Sequence, residues 1–203
     1  APQEEADAWG ALLAGRALVE GRHVDDVSEH NRSKIARVRA HLVRVMRAGT
    51  LPAVERAGAG DTLAELGDPR LHVTAVDHMH LCYVPPGPFW MGSERYGDER
   101  PQHLNEYLAD PYWLSRYPIT VAQFRVFVES SGYSRATERC LEGLENHPVR
   151  YVSWHDARAF CAWLAGRWGE RGWLPEGWTV RLPREGEWEK GGRGGGSLTN
   201  SFV

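Results

Sequence analysis

Thiols and imidazoles are the side chains here with the most chemistry to offer. Cys82, Cys140 and Cys161 stand far apart, so they suggest neither a disulfide framework nor a Cys-x2-Cys metal knuckle. In Asp77-His78-Met79-His80, His78 and His80 would share one strand face and could take zinc with a third ligand nearby. No third ligand is identifiable, and a solvated pair is the preferred reading. Oxygen donors gather at Glu94, Asp98 and Glu99, a ligand type that suits calcium. Arg95 and Arg100 interleave with them and the spacing is that of no known calcium loop, so no metal is assigned. Glu185, Glu187 and Glu189, beside Arg184 and Lys190, could supply a general acid, but salt links on a solvated helix face are expected instead. His155 is expected to pack or cap. No Ser-His-Asp, HExxH or GxxxxGK[ST] pattern is present.

The elements that must position these groups follow from periodicity. Ala6, Trp9, Leu12, Leu13, Leu18 and Val19 fall at helical spacing, and Gly21 ends the run. A polar linker, Asp25 to His30, precedes a second helix that Ser33 can cap. Its apolar stripe is Ile35, Val38, Leu42, Val45 and Met46, and its other face carries Arg37, Arg39, Arg44 and Arg47. A third helix is expected over Ala53–Leu66, opened by Pro52 and closed by Gly67. These three make a small helical segment over residues 1–70, a hairpin-like bundle or the end of a helical array.

From Leu81 the pattern changes. Leu81 to Val84 and Phe89 to Met91 read as two strands of a hairpin around Pro85-Pro86-Gly87. Tyr112 to Tyr117 is a further strand, ended by Pro118. Thr120-Val121-Ala122-Gln123 is a capping box opening a helix that buries Val121, Phe124, Phe127 and Val128 and ends before Gly132. Ser153-Trp154-His155-Asp156 repeats the device for a helix burying Ala157, Phe160, Cys161 and Leu164 and stopping at Gly166. Asn146–Val152 reads as a turn entering a strand, and a further strand is expected at Trp178–Leu182. Pro183 then opens a short helix, Arg184 to Lys190, with Trp188 facing inward. Cys82 is expected in the core and Cys140 in an exposed polar loop.

Four runs in this order, VPPGPFWMGS, YWLSRYPITVAQFRVFVESSGY, HPVRYVSWHDARAFCAWLAGR and RLPREGEWEKGGRGG, resemble the first half of the formylglycine-generating enzyme (sulfatase-modifying factor) domain family over residues 81–195. The resemblance implies an α+β fold, a variant of the C-type-lectin fold with much irregular chain, at residues 71–203. It assigns Gly87, Phe89, Met91, Gly92, Phe124, Trp154, Cys161 and Trp188 to the structural core of the family motifs. It also implies that the reactive cysteine pair with its copper(I), and the calcium ligands, belong to the second half of the domain. None of these is matched before Val203, so no catalytic or cofactor-binding residue is assigned. In the tail Gly194 to Asn200, a Gly-Gly-Ser puts Asn200 where a first reactive cysteine would stand, although a glycine-rich loop is the preferred reading. Some members use the position of Cys161 for a disulfide; on its helix stripe an inert core thiol is preferred. Iron sulfoxide synthases of related fold need a His-x3-His-x-Glu that the helical segment lacks.

The totals bound the rest. With 24 basic and 27 acidic residues in 203, net −3, there is no bulk attraction to nucleic acid or anionic membrane. No apolar run approaches the roughly 20 residues of a membrane span, and no secretory signal is visible. Nine tryptophans against three methionines suggest a rigid aromatic core. The expectation is a non-catalytic, cytoplasmic module presenting a surface to an unidentified protein or small-molecule ligand. It would sit beside upstream domains of a larger bacterial signalling or defence protein, or be a retroelement-diversified variable protein. The alternatives are part of a copper-dependent formylglycine-generating oxidase and a structural fragment without activity.

Overall fold

A computed structural model describes residues 2–21, 29–95, 97–134 and 137–194. The expectations for Asp25–Ser28 and for the tail from Gly195, Asn200 included, lie outside these residues. The chain divides into two compact units, residues 1–78 with 119–151 and residues 79–118 with 152–203. Among the described residues no helix is long and apolar enough to cross a membrane.

The first unit holds α1 (Pro2–Glu20), α2 (Glu29–Arg47), α3 (Ala53–Leu66), the single turn α4 (Leu71–Thr74) and α5 (Val121–Ser131). Helix α2 starts four residues before Ser33, which therefore sits inside it rather than at its cap. Leu12, Leu42, Leu63 and Leu66 are fully buried where α1, α2 and α3 meet, because each helix turns a stripe at 3–4-residue spacing to the others. Arg39 leaves the basic face to donate to the Leu66 carbonyl, whereas Arg37, Arg44 and Arg47 stay exposed. At Asp68 burial opposes ionisation, but hydrogen bonds from Arg70 and Asn146 prevail and hold the carboxyl below its usual range.

Helix α5 begins as its sequence dictates. The Thr120 hydroxyl accepts from the Gln123 amide while the Gln123 side chain accepts from the Thr120 amide. The same hydroxyl donates 2.7 Å to the Val73 carbonyl, tying α5 to α4. Gly132, left-handed at φ 65°, ends the helix. Val121, Phe124, Phe127 and Val128 are buried. Cys140, expected to be exposed, is only 2% accessible: the turn Glu138–Leu141, capped by Thr137, points it inward. The expected strand at Asn146–Val152 reduces to one bridge, Thr120 to Pro148, since Pro148 has no amide to extend a ladder.

The second unit contains β1 (Leu81–Val84), β2 (Phe89–Met91), β3 (His103–Asn105), β4 (Tyr112–Ser115), α6 (Trp154–Glu170) and α7 (Glu185–Arg193). Strands β1 and β2 do not pair with each other. Two antiparallel ribbons form instead, β1 with β4 and β2 with β3, because the Pro85–Pro88 connection cannot close a tight ladder. Helix α6 carries the expected reciprocal cap between Ser153 and Asp156 but runs four residues past Gly166. Its buried side is Asp156, Phe160 and Leu164; Ala157 and Cys161 lie at the margin. Residues 178–182 form no strand.

Candidate binding surface

The second unit is organised by α7, through a helix face that sequence reasoning took for solvated. Lys190, 1% exposed, donates to the Pro85 and Gly87 carbonyls at 2.6 and 2.7 Å. It thereby fixes the turn between β1 and β2, and burial pulls its pKa down. Arg193 donates 2.6 Å to the Gly92 carbonyl, and the Gly92 amide donates 2.7 Å to Glu189, which Arg193 also binds. Buried Glu187 accepts two hydrogen bonds from Arg181 and one from the Arg184 amide. Arg181 foremost holds its carboxyl below the usual range, against the effect of burial. The Tyr112 hydroxyl donates 2.6 Å to the Glu187 carbonyl; burial first, then the Glu187 charge, pushes this phenol up to about 12.

Two glycines let the ribbons approach this helix. A β-carbon on Gly191 would lie 2.6 Å from the Leu114 side chain, and one on Gly186 would lie 3.3 Å from Asn105. With charged groups and glycines filling the inner face of α7, Trp188 has no place there. It is 65% exposed, not inward. Trp154 is likewise 58% exposed: it occupies the first position of α6, where Arg158 covers its ring at 4.6 Å. Neither ring belongs to the core to which the family motifs assigned them. Phe89 and Phe124 are fully buried, and Met91 and Cys161 are partly covered. Gly87 (φ 111°) and Gly92 (φ 82°) adopt backbone conformations that other residues resist.

Each ribbon therefore has one face on α7 and one facing water. On the β1–β4 ribbon, Val84 and Leu114 approach Gly191. Its other face carries Leu81, Tyr83 and Trp113, the last two directly paired and half exposed with ring centroids 5.2 Å apart. On the β2–β3 ribbon, Trp90 and Leu104 pair in the same outward way. Such cross-strand aromatic pairs give a flat, rigid apolar surface. Both β1 and β4 are apolar along nearly their whole length, so nothing local said which side a helix would cover.

The other candidates are dispersed. His78 closes a 3-10 turn, Val76–His78, and His80 precedes β1, so they do not share a strand face. Among the described residues no three His, Cys, Asp or Glu side chains gather as a metal site. Glu94 accepts from the Gln102 amide, and its carbonyl accepts from Arg100, so this loop bonds itself together. Cys82, expected in the core, is exposed, and among the described residues no two cysteines form a disulfide. Burial pushes the Cys161 thiol above its ordinary value.

The family model for the sulfatase-modifying factor enzyme 1-like domain matches residues 70–203. Mouse formylglycine-generating enzyme is 27% identical over 161 residues, covering 55% of this chain and 39% of that protein. The formylglycine-generating enzyme of Thermomonospora curvata is 25% identical over 162 residues, covering 57% and 49%. Cattle inactive C-alpha-formylglycine-generating enzyme 2 is 27% identical over 164 residues, covering 58% and 50%. The chain spans half the length of these curated relatives or less.

Proposed function

Because the chain belongs to the sulfatase-modifying factor enzyme 1-like family, we propose that residues 71–203 are a non-catalytic module presenting a ligand- or protein-binding surface within a larger bacterial signalling or defence protein. The observation that carries this reading is the outward aromatic pair Tyr83–Trp113, continued by Leu81 on the same ribbon face. Large apolar side chains held rigid in water at close spacing are what interaction surfaces use. The thiols argue in the same direction. Copper(I) chemistry needs soft thiolates; burial disfavours the thiolate of Cys161 and Cys140 is buried in the other unit, which leaves Cys82 as the one exposed thiol of the three. A relative named inactive is as similar to this chain as relatives named for the enzyme.

The second reading, part of a copper-dependent formylglycine-generating oxidase, is favoured by the names of those relatives. A copper(I) titration in competition with a chelator separates the two. The scaffold reading predicts no tight one-to-one uptake and three thiols that titrate alike with and without copper. Stoichiometric uptake that removes two thiols from titration would establish the oxidase reading in its place.

A further inference from the structure

In the first unit, Tyr151 holds a left-handed backbone at φ 58°, the sole non-glycine residue with positive φ among those described. A bulky side chain resists this region, and such strain collects where a residue is held for a purpose. The ring is half exposed and is flanked by two guanidiniums, Arg139 at 4.2 Å and Arg150 at 5.7 Å from its centroid. Arg139 also donates 3.1 Å to the Tyr151 hydroxyl, which leaves the phenol its own proton to donate outward. Among the described residues neither arginine is ion-paired with a carboxylate.

Both arginines stand on anchored backbone. Thr137 accepts from the Arg139 amide, Cys140 beside it is buried, and Arg125 holds the Leu141 carbonyl at 2.9 Å. Next to Arg150, the Val149 amide donates 2.9 Å to Ile119, and Pro148 bridges Thr120. Two guanidiniums and a phenol O–H thus share one half-exposed ring, and among the described residues no carboxylate pairs with either arginine. Guanidinium forks match the oxygens of phosphate and sulfate.

We propose that Arg139, Tyr151 and Arg150 form an oxyanion site that takes a phosphate or sulfate monoester, borne by a small ligand or by a partner's side chain. The site belongs to the other compact unit from the aromatic ribbon face, so it stands or falls independently of the scaffold reading.

The test is calorimetric titration of the whole chain with phenyl phosphate, phenyl sulfate, benzoate and neutral phenol. Saturable binding of phenyl phosphate or phenyl sulfate is expected, the tighter of the two identifying the natural group, with affinity falling as salt rises. R139A and R150A should each weaken it about tenfold. Y151N should lose affinity without lowering the melting temperature, because asparagine tolerates the left-handed region; a merely structural tyrosine would not separate the two readouts. R37A/R44A, on the basic face of α2, should leave binding unchanged. The proposal is overturned by absence of binding to both esters, by benzoate or phenol binding as tightly, by unchanged affinity in R139A/R150A, or by loss of binding in R37A/R44A.

Discussion

At Gly92 one added methyl group meets backbone on two sides. A β-carbon there would lie 2.4 Å from the Glu99 carbonyl oxygen and 3.2 Å from that of Pro101, at a φ of 82°. Gly92→Ala should therefore cost at least about 2 kcal/mol from backbone strain and clash, read as a lower denaturant midpoint. The aromatic residues divide sharply. Phe124→Ala should cost about 3–5 kcal/mol as a core truncation, whereas Trp188→Ala and Trp154→Ala should stay within about 0.5 kcal/mol as surface changes. A large loss at Trp188 would mean that the ring is covered. Glu187 sets a pH dependence. Its carboxyl titrates below the ordinary value of about 4.3, so the stability it contributes is fully present above that value and is lost as pH falls through the lower, folded-state value. Acid unfolding followed by circular dichroism should show Glu187→Gln with a flatter acid limb than the parent chain; identical limbs would remove Glu187 from the account. Gly92 and Phe124 were legible from residue type. Trp188 and Glu187 were not, because their burial depends on what α7 meets from 75 to 105 residues away in the chain.

Helices announced themselves through their ends. Thr120 with Gln123 at α5, and Ser153 with Asp156 at α6, each carry their capping chemistry within four consecutive residues, so sequence sufficed to place where these helices start; the end of α6, four residues past Gly166, was not legible. Thr120→Ala should cost about 1 kcal/mol from the cap and more in total, since the hydroxyl also holds Val73; Thr120→Ser, which keeps both bonds, should recover most of the loss in a thermal melt. Strands β1, β2 and β4 were placed but β1 and β2 were wrongly paired, β3 was missed, and the strands expected near 146–152 and at 178–182 did not form. Register is a long-range property: β1 finds its partner β4 across about thirty residues, and β3 is only the three residues His103–Asn105, too short for its alternation to stand out. The outward faces of the ribbons follow from that pairing. Replacing Tyr83 and Trp113 together with serine should lower the binding of a neutral apolar dye such as Nile red while shifting the melting temperature little. Unchanged dye binding would mean that the apolar surface lies elsewhere.

The two units differ in what holds them together. The first has a conventional apolar interior, with Leu12, Leu42, Leu63, Phe124 and Phe127 all nearly inaccessible. In the second, the buried apolar residues among those described are Val84, Phe89, Phe160 and Leu164, and the buried polar trio Glu187, Lys190 and Arg193 carries much of the connection between ribbons and helix. The family signature was readable because its motifs are local strings. The interleaving of the units was not, since residues 119–151 join the helical segment by contacts such as Asn146 to Asp68 that no local pattern encodes. The central claim, a scaffold that presents a surface and performs no oxidation, is tested most directly by incubating the chain with copper(I), oxygen and a sulfatase-derived peptide bearing the target cysteine, and measuring aldehyde by mass spectrometry after hydrazide capture. The account predicts unmodified cysteine throughout; catalytic accumulation of aldehyde would contradict it.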